Sequence, residues 1–272
     1  MNNKSSYQYL QEFCKIKSRS SFDKRPDPIT TRVQYLLDQL SILELEVIQD
    51  IFPPNENFPD ENYINLYVKF ESKNPEAESV VFLAHHDIAN PYSENCQDNS
   101  ASVCNLLNLC SLLKEKELER NVIIVFTDGE EPASFRSGAG HLANLINDKK
   151  EPFNNVAYTI NLELTGVGKI IWMDSEVAKM QLKTESKLIL FLQQQLSELK
   201  EVGTPFNDCY SLRHFGVDSI CIGSFTEKDL NDYNDKKYPT TWRLCHSPTD
   251  TIDKISEEDM LNFVNDVLLK LI

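Results

Sequence analysis

The chain has 272 residues, of which 41% are hydrophobic and 25% charged, enough for one large soluble domain with a sizeable core. Its formal net charge of −15 counts against nucleic acid as a partner, because a phosphate backbone calls for Lys and Arg clusters that are absent here. No apolar run reaches membrane-spanning length and the N-terminus lacks the apolar core of a signal peptide, so we expect a cytoplasmic protein without a membrane partner.

Apolar periodicity predicts two helices and then two strands in the first part of the chain. The helices are expected over residues 7–17 and 30–42, and the strands over 45–51 and 63–70. Three prolines within residues 52–59 indicate that this segment is the loop that joins the two strands.

Strands and helices alternate along the middle of the chain. The predicted order is strand, helix, strand, helix and strand over residues 80–84, 100–114, 122–127, 138–147 and 156–162. Such alternation is typical of a mainly parallel sheet with helices on both faces.

The last part of the chain continues the alternation. We expect a strand, a helix, a strand and a closing amphipathic helix over residues 170–173, 185–199, 219–222 and 257–271. Ser256 and Asp259 form a candidate capping box for the closing helix. The predicted fold class is α/β: a single-domain, three-layer α/β/α sandwich with a mixed, mainly parallel sheet.

The seven cysteines form no C-x-x-C pair and leave one over if the others were bridged. We therefore expect free thiols in a reducing compartment. Cys104 and Cys110 follow a helical apolar pattern and are expected in the core. Cys96 and Cys245 stand close to candidate metal ligands, so a place in the wall of a pocket is open to both.

Histidines and acidic residues occur in separate clusters, several of which follow predicted strands. The clusters are His85-His86-Asp87, Asp98-Asn99, Glu130-Glu131, Glu163 and His246-Ser-Pro-Thr-Asp250. In an open α/β sheet, the carboxyl ends of the strands form the ligand-binding crevice. This distribution therefore predicts a metal site at that edge of the sheet.

A pair of divalent cations needs a shared carboxylate, a histidine and a carboxylate on each side, and one unligated carboxylate as base. The chain supplies this set as His85, Asp98, Glu130, Glu131, Glu163 and His246. Asp87 fits as the group that accepts the other ring N–H of His85 and fixes its tautomer. Strand alternation sends His86 to the opposite side, and only His85 has the H-x-D spacing.

The order of these clusters resembles family twenty-eight of the metallopeptidases. These co-catalytic di-zinc exopeptidases include bacterial leucyl-type aminopeptidases, glutamate carboxypeptidases and animal-type glutaminyl cyclases. Their pattern is H-x-D, D-N, E-E, a strand that ends in Asp or Glu, and a late His, and it runs here in the same order from Val80 to Asp250. The resemblance implies one zinc exopeptidase-like catalytic domain over residues 1–272.

The resemblance also implies the ligands of two divalent metal ions, with zinc as the expected metal. Asp98 would bridge the ions, His85 and Glu163 would hold the first, and Glu131 and His246 would hold the second.

Catalytic roles are implied for two further acids. Glu130, the first member of the glutamate pair, would be the general base that takes the proton of the attacking water. Asp87 would orient His85. A cis peptide bond between Asp98 and Asn99 is part of the same resemblance.

Several functions remain open. An aminopeptidase that hydrolyses N-terminal residues of peptides, or small amides, is favoured because His85 and Glu163 preserve both metal sites. A glutaminyl cyclase would use a single zinc on Asp98, Glu131 and His246, and it would need aromatic walls, for which Trp242 is the nearest candidate. A binding protein without activity is the third class, and it would have no use for the base Glu130.

A carboxypeptidase or amidase is a further alternative, since the aminopeptidases usually carry Asp where this chain has Glu163. Such an enzyme needs a cation to clamp the substrate carboxylate. The cations near the motifs are Arg136, Arg213 and Arg243, and we expect none of them to point into the metal cleft. Asp208 stands where relatives carry a Ser-Asp pair near the pocket, and His141 and His214 are expected to be structural.

Overall fold

In the computed structural model, which describes residues 4–24, 26–53, 61–182 and 186–272, the strands form one eight-stranded sheet. They are β1 Ile48–Phe52, β2 Tyr63–Phe70, β3 Ser79–His85, β4 Asn121–Thr127, β5 Val156–Leu162, β6 Ile170–Met173, β7 Lys200–Glu201 and β8 Ser219–Phe225. The order across the sheet is β1-β2-β4-β3-β5-β8-β6-β7. The central strands β4, β3, β5 and β8 run parallel, and the pairings β1·β2, β2·β4 and β6·β8 are antiparallel. The predicted mixed, mainly parallel sheet is confirmed.

The helices of the described residues are α1 Ser6–Phe13, α2 Thr31–Ile42, α3 Ala101–Leu113, α4 Gly138–Asn147, α5 Ser175–Leu182, α6 Lys187–Gln195, α7 Asp208–His214, α8 Glu227–Asn234 and α9 Glu257–Asn262. A π-helical turn, Cys96–Ser100, precedes α3, and α9 continues through a π turn and a 3₁₀ turn to Lys270. The predicted closing helix is therefore helical almost throughout, with α geometry only in its first part. No helix among the described residues is long and apolar enough to cross a membrane.

Alternation along the central strands builds two cores. On β3, Val80, Phe82 and Ala84 pack against a core with residues of α1, α2, α3 and the C-terminal helix. Val81 and Leu83 point to the other face, into a core with residues of α4 and α7. This is the expected three-layer α/β/α sandwich.

The differences from the predicted elements are local. Helices α5, α7 and α8 were not predicted; each has only seven or eight residues, too few to establish a helical period. The predicted helix over 185–199 is α6, and residue 185 lies outside the described residues, as does most of the predicted loop over 52–59. Of the capping box, the structure shows Ser256 Oγ accepting from the Asp259 N–H at 3.2 Å, while Asp259 Oδ2 accepts from Gly168 N.

A disulfide joins Cys14 to Cys96, so the expectation that all seven cysteines are free thiols is wrong for this pair. The partners are 82 residues apart in sequence, and they meet because α1 packs against α3 and the turn before it. Disulfides persist mainly in oxidising compartments, so the cytoplasmic location stays a prediction. Cys104 and Cys110 are fully buried in the core, as predicted.

A buried ion pair connects α7 to the strands beside the site. Arg213 Nη2 lies 2.7 Å from Asp174 Oδ2, and both side chains are fully buried. Arg213 Nη1 donates to the Ser219 carbonyl, and Asp174 Oδ1 accepts from Cys221 N, so the pair is anchored on β8 at both ends. Arg213 is therefore a structural residue and not a substrate clamp.

We expect Arg213→Met to lower the free energy of unfolding by about 3–5 kcal/mol, because it leaves the Asp174 carboxylate buried without its cation. Urea unfolding measures the loss. The matched control is Lys169→Met, which breaks the exposed pair with Glu258 and should change stability little. Equal effects of the two substitutions would contradict the assignment.

Candidate metal centre

The parallel centre of the sheet gathers the predicted acids and His85 at one edge. His85 is the last residue of β3 and aligns with Thr127, the last residue of β4. Glu130 and Glu131 follow β4 by a few residues, and Glu163 directly follows β5, which runs parallel to β3. The expectation that these side chains share the carboxyl edge of the strands is confirmed.

Asp98 reaches the same place from the turn before α3. The Asp250 carboxylate accepts the N–H groups of Gln97 at 2.7 Å and Asp98 at 3.0 Å, which fixes this turn to the loop that carries His246. Asn99 Nδ2 donates to the Leu162 carbonyl at the end of β5. The Asp98–Asn99 peptide bond is cis, as the family resemblance implied.

The two oxygens of Asp98 lie toward different histidines. Oδ1 is 3.3 Å from His85 Nε2, which is also 3.7 Å from Glu163 Oε2. Oδ2 is 3.7 Å from His246 Nε2, which lies 2.7 Å from Glu131 Oε2. The five predicted ligands thus form two three-donor groups that share Asp98.

Each of the two glutamates uses one oxygen for the protein and leaves the other for the cluster. Glu131 Oε1 accepts from the Ala89 N–H at 2.9 Å, and Glu163 Oε1 accepts from Asn161 Nδ2 at 3.2 Å. Glu131 Oε2 is buried with no aligned hydrogen-bond donor among the described residues. A buried carboxylate oxygen that faces imidazoles and other carboxylates without a donor fits a divalent cation.

Asp87 lies behind the cluster, where the sequence predicted an orienting group. Its Oδ1 is 3.3 Å from His85 Nδ1 and accepts from Glu130 N at 3.2 Å, while Oδ2 accepts from Glu131 N at 3.2 Å and from Ser21 Oγ at 2.6 Å. One carboxylate therefore fixes the orientation of the His85 ring and the backbone of the turn that carries Glu130 and Glu131, here called the glutamate turn. The His86 ring lies away from the cluster, with Nε2 3.0 Å from the Ile64 carbonyl.

Glu130 belongs to neither donor group. Its Oε2 lies 3.9 Å from His85 Nε2. Burial raises the pKa of Glu130 well above its usual range, and neighbouring Glu163, Glu131 and Asp208 add to the rise while His85 opposes it. A buried, unligated carboxylate with a raised pKa is suited to accept and return a proton near neutral pH.

Burial and contacts within the cluster shift the pKa values of the donors. Burial raises the pKa of Glu131 to about 7, and burial also raises that of Glu163. The close contact with the Glu131 carboxylate raises the pKa of His246 to about 8. Burial alone would lower the pKa of His85, but Glu163, Asp87 and Asp98 outweigh it and hold that pKa well above its usual range.

The turn before Glu130 requires a glycine. Gly129 has a φ of +77°, a conformation that side chains rarely adopt, and a Cβ there would collide with the Tyr63 ring. His246 itself has a φ of +59°. Backbone strain of this kind persists where the surrounding contacts hold a functional group in place.

A cavity of about 530 Å³ opens over the donors. The acidic residues and histidines of the donor groups line it, and so does an aromatic wall of four side chains; these are Trp172, Phe206, Tyr238 and Trp242. The sequence pointed only to Trp242. Tyr238 and Phe206 stand near His246 and Asp208 in sequence, which could have drawn attention to them, whereas nothing near Trp172 marked it.

Of the remaining predicted residues, some line the cavity and others do not. Asp208 does not line the cavity; its Oδ2 accepts from Thr127 Oγ1 at 2.6 Å, and burial raises its pKa to about 7. Arg136 does not line the cavity either, but Arg243 does. The expectation that no guanidinium points into the metal cleft stays a prediction at Arg243. Its Nε donates to the Tyr238 carbonyl.

The two histidines expected to be structural pack outside the donor groups. His141 Nε2 lies 2.9 Å from Asp50 Oδ2 and its ring stacks on Phe52, and the His214 ring stacks on Phe135.

Comparisons with known proteins bear on the family and the fold of the chain. A vacuolar membrane protease of Vanderwaltozyma polyspora is 28% identical over 159 residues, which is 58% of this chain, and the chain spans only 15% of that curated relative. The fold resembles a glutaminyl cyclase of Porphyromonas gingivalis, with a TM-score of 0.71, 17% identity, and coverage of 98% of this chain and 96% of that one. It also resembles a Zn-dependent exopeptidase of Parabacteroides distasonis, with a TM-score of 0.69, 17% identity, and coverage of 99% and 97%. The sequence profile of peptidase family M28 matches residues 65–272, and the chain belongs to this family.

Proposed function

We propose that this member of the peptidase family is a two-metal aminopeptidase that removes N-terminal residues from peptides or small amides. The observation that carries the proposal is the placement of Asp98, with one carboxylate oxygen toward His85 and the other toward His246. A carboxylate shared between two three-donor groups is the arrangement that a pair of divalent cations requires.

The proposed reaction assigns a role to the metal ions, to Glu130 and to Asp87. Two cations, zinc being the expected metal, would polarise the scissile carbonyl and acidify the attacking water. Glu130 would take the proton of that water and return it to the leaving amine, as its place outside both donor groups supports. Asp87 would hold His85 and the glutamate turn in position.

The charge of the cavity supports an amino-terminal substrate. An α-ammonium group requires carboxylates at the closed end of the pocket, and Glu130, Glu131 and Glu163 line this cavity. The aromatic side chains that line the same cavity would receive the side chain of the N-terminal residue. The net charge of −15 would also draw cations and protonated amines toward the protein.

Glutaminyl cyclase is the second candidate, and the aromatic wall favours it. Trp172 Nε1 and Trp242 Nε1 are buried donors with no acceptor among the described residues, and both rings line the cavity. The amide oxygen of a glutaminyl side chain is an acceptor of suitable chemistry. The structural similarity to the Porphyromonas gingivalis cyclase is consistent with this alternative, but it shows only the fold.

A metal-replete sample should hold two zinc ions per chain, separated by about 3.5–4 Å as two-metal sites generally are. Elemental analysis gives the count, and X-ray absorption gives the separation. The same sample should cleave aminoacyl amides but not their N-acetylated forms. A single ion, with cyclisation of N-terminal glutamine, would favour the cyclase.

Arg243, which lines the cavity, allows a further test of which end of the peptide the enzyme recognises. If the enzyme instead cleaves N-blocked peptides with a free carboxylate, and Arg243→Ala abolishes this with both metals retained, the chain is a carboxypeptidase. Arg136→Ala is the matched control, because Arg136 does not line the cavity.

Glu130→Gln should lower kcat by about 10²–10⁴-fold, the usual contribution of a general base, because the amide keeps the size but not the basicity. Zinc content should stay unchanged, since Glu130 is in neither donor group. Glu131→Gln is the matched control and should lose zinc as well as activity. Loss of zinc from the Glu130 variant would reverse the two roles.

Zinc affinity of the metal-free protein should fall as the pH is lowered from about 8 to about 6, because ligands bind metal only when deprotonated. The pKa values of about 7 for Glu131 and about 8 for His246 place the competing protons in this range. Calorimetry in buffers of different ionisation enthalpy measures both the affinity and the protons released. His214→Gln, which removes a histidine outside the donor groups, should keep the pH dependence. If zinc affinity does not change across this pH range, the assigned donors are wrong.

A further inference from the structure

Arg32 on α2 is a buried cation that the residues discussed so far do not explain. It is 1% exposed, and its guanidinium lies over the Phe13 ring at 3.8 Å from the ring centroid. It stands before the part of the chain that matches the family profile. Its place beneath the acidic edge of the sheet comes from the packing of α2 against the core.

No carboxylate among the described residues lies within ion-pair distance of Arg32. Burial lowers the pKa of its guanidinium to about 10, while the more distant charges of Asp87, Glu131 and Asp250 act in the other direction. Arg32 is therefore still a cation at neutral pH. A buried cation without a direct partner is costly, so its retention calls for an explanation in terms of what it holds.

Two hydrogen bonds of Arg32 end on different ligand-bearing segments. Nε donates to the His86 carbonyl at 3.0 Å, and Nη2 donates to Ser100 Oγ at 2.9 Å. His86 directly follows His85. Ser100 follows the Asp98–Asn99 pair, and its own hydroxyl donates to the Asn95 carbonyl at the start of the same turn.

We propose that Arg32 is a positioning residue for the metal centre: its planar fork holds the backbone after His85 and the turn that carries Asp98 at the separation that cation binding requires. The inference rests on the proposed metal-dependent function. Groups that hydrogen-bond directly to metal ligands commonly contribute about 10–100-fold to metal affinity, and Arg32 acts one contact further out, on the segments that carry the ligands.

Charge and geometry predict opposite effects when Arg32 is removed. A cation beneath the donors repels a divalent metal, so loss of its charge alone would strengthen zinc binding. Loss of the two hydrogen bonds would let the segments that carry His85 and Asp98 separate and would weaken zinc binding. The sign of the change in affinity therefore distinguishes a positioning role from a counter-charge.

The test is zinc affinity of the folded, metal-free chain, measured by competition with a chelator. Arg32→Met keeps an unbranched apolar side chain without donors and should bind zinc about 10–100-fold more weakly. Arg32→Lys keeps the charge but cannot form the planar two-donor fork, so it should also bind zinc more weakly than the unchanged chain, and its loss of affinity reports the geometry without a change of charge.

Leu36→Ala is the matched control. Leu36 lies one turn along α2 and is fully buried in the core, so its loss should lower stability without changing zinc affinity below the unfolding transition. A weaker zinc affinity in this variant, equal to that of Arg32→Met, would assign the effect of Arg32 to general destabilisation and overturn the inference.

Ser100→Ala removes the second acceptor of Arg32, together with the hydroxyl's own bond to the Asn95 carbonyl, and serves if Arg32→Met does not fold. It should weaken zinc binding, and its effect should be less than additive with that of Arg32→Lys, because the two variants share the contact between Arg32 and Ser100. If the Arg32 or Ser100 variants bind zinc as tightly as the unchanged chain, or more tightly, the positioning role is overturned. An unchanged chain that binds no zinc would instead overturn the proposed function.

Discussion

Mutual repulsion among buried carboxylates is the constraint on which the rest of this structure depends. Asp98, Glu130, Glu131 and Glu163 converge at one edge of the sheet, and each is at most 8% exposed. Burial raises the pKa of the three glutamates, whereas at Asp98 the contact with His85 outweighs burial and lowers the pKa. Two imidazoles alone do not balance four such acids, so a bound divalent cation would stabilise the arrangement in its charged form.

The surrounding hydrogen bonds keep these acids in place despite their repulsion. Asp87 accepts the backbone N–H groups of the glutamate turn, and Asp250 accepts those that precede Asp98. Both carboxylates therefore act on the backbone, where they fix the direction of a neighbouring donor without competing for the metal. Arg32 adds hydrogen bonds to the His86 carbonyl and to Ser100 Oγ, so it joins the segments that carry His85 and Asp98.

The donor set could be predicted from the sequence because metal chemistry restricts residue types and because buried strands are easy to recognise. His85, Glu130 and Glu163 each follow such a strand, and parallel pairing then brings them together. Apart from Trp242, the aromatic wall was not predicted, and neither was the Cys14–Cys96 pair, since both arise from contacts between segments far apart in sequence. Short helices such as α7 were missed for a different reason: two turns hold too few residues to show a period.

The donors and the aromatic wall of the cavity come from different kinds of structure, and this limits how its function can change. His85, Glu131 and Glu163 lie at the ends of central strands, whereas the aromatic wall is built largely by residues 204–206 and the segment 238–246. Changes in these segments can reshape the apolar wall. The segment 238–246 also ends in His246, which belongs to the second group. The apolar wall and the second donor group are therefore physically coupled through the segment that ends in His246, and Asp98 extends this coupling to the first group, because it belongs to both.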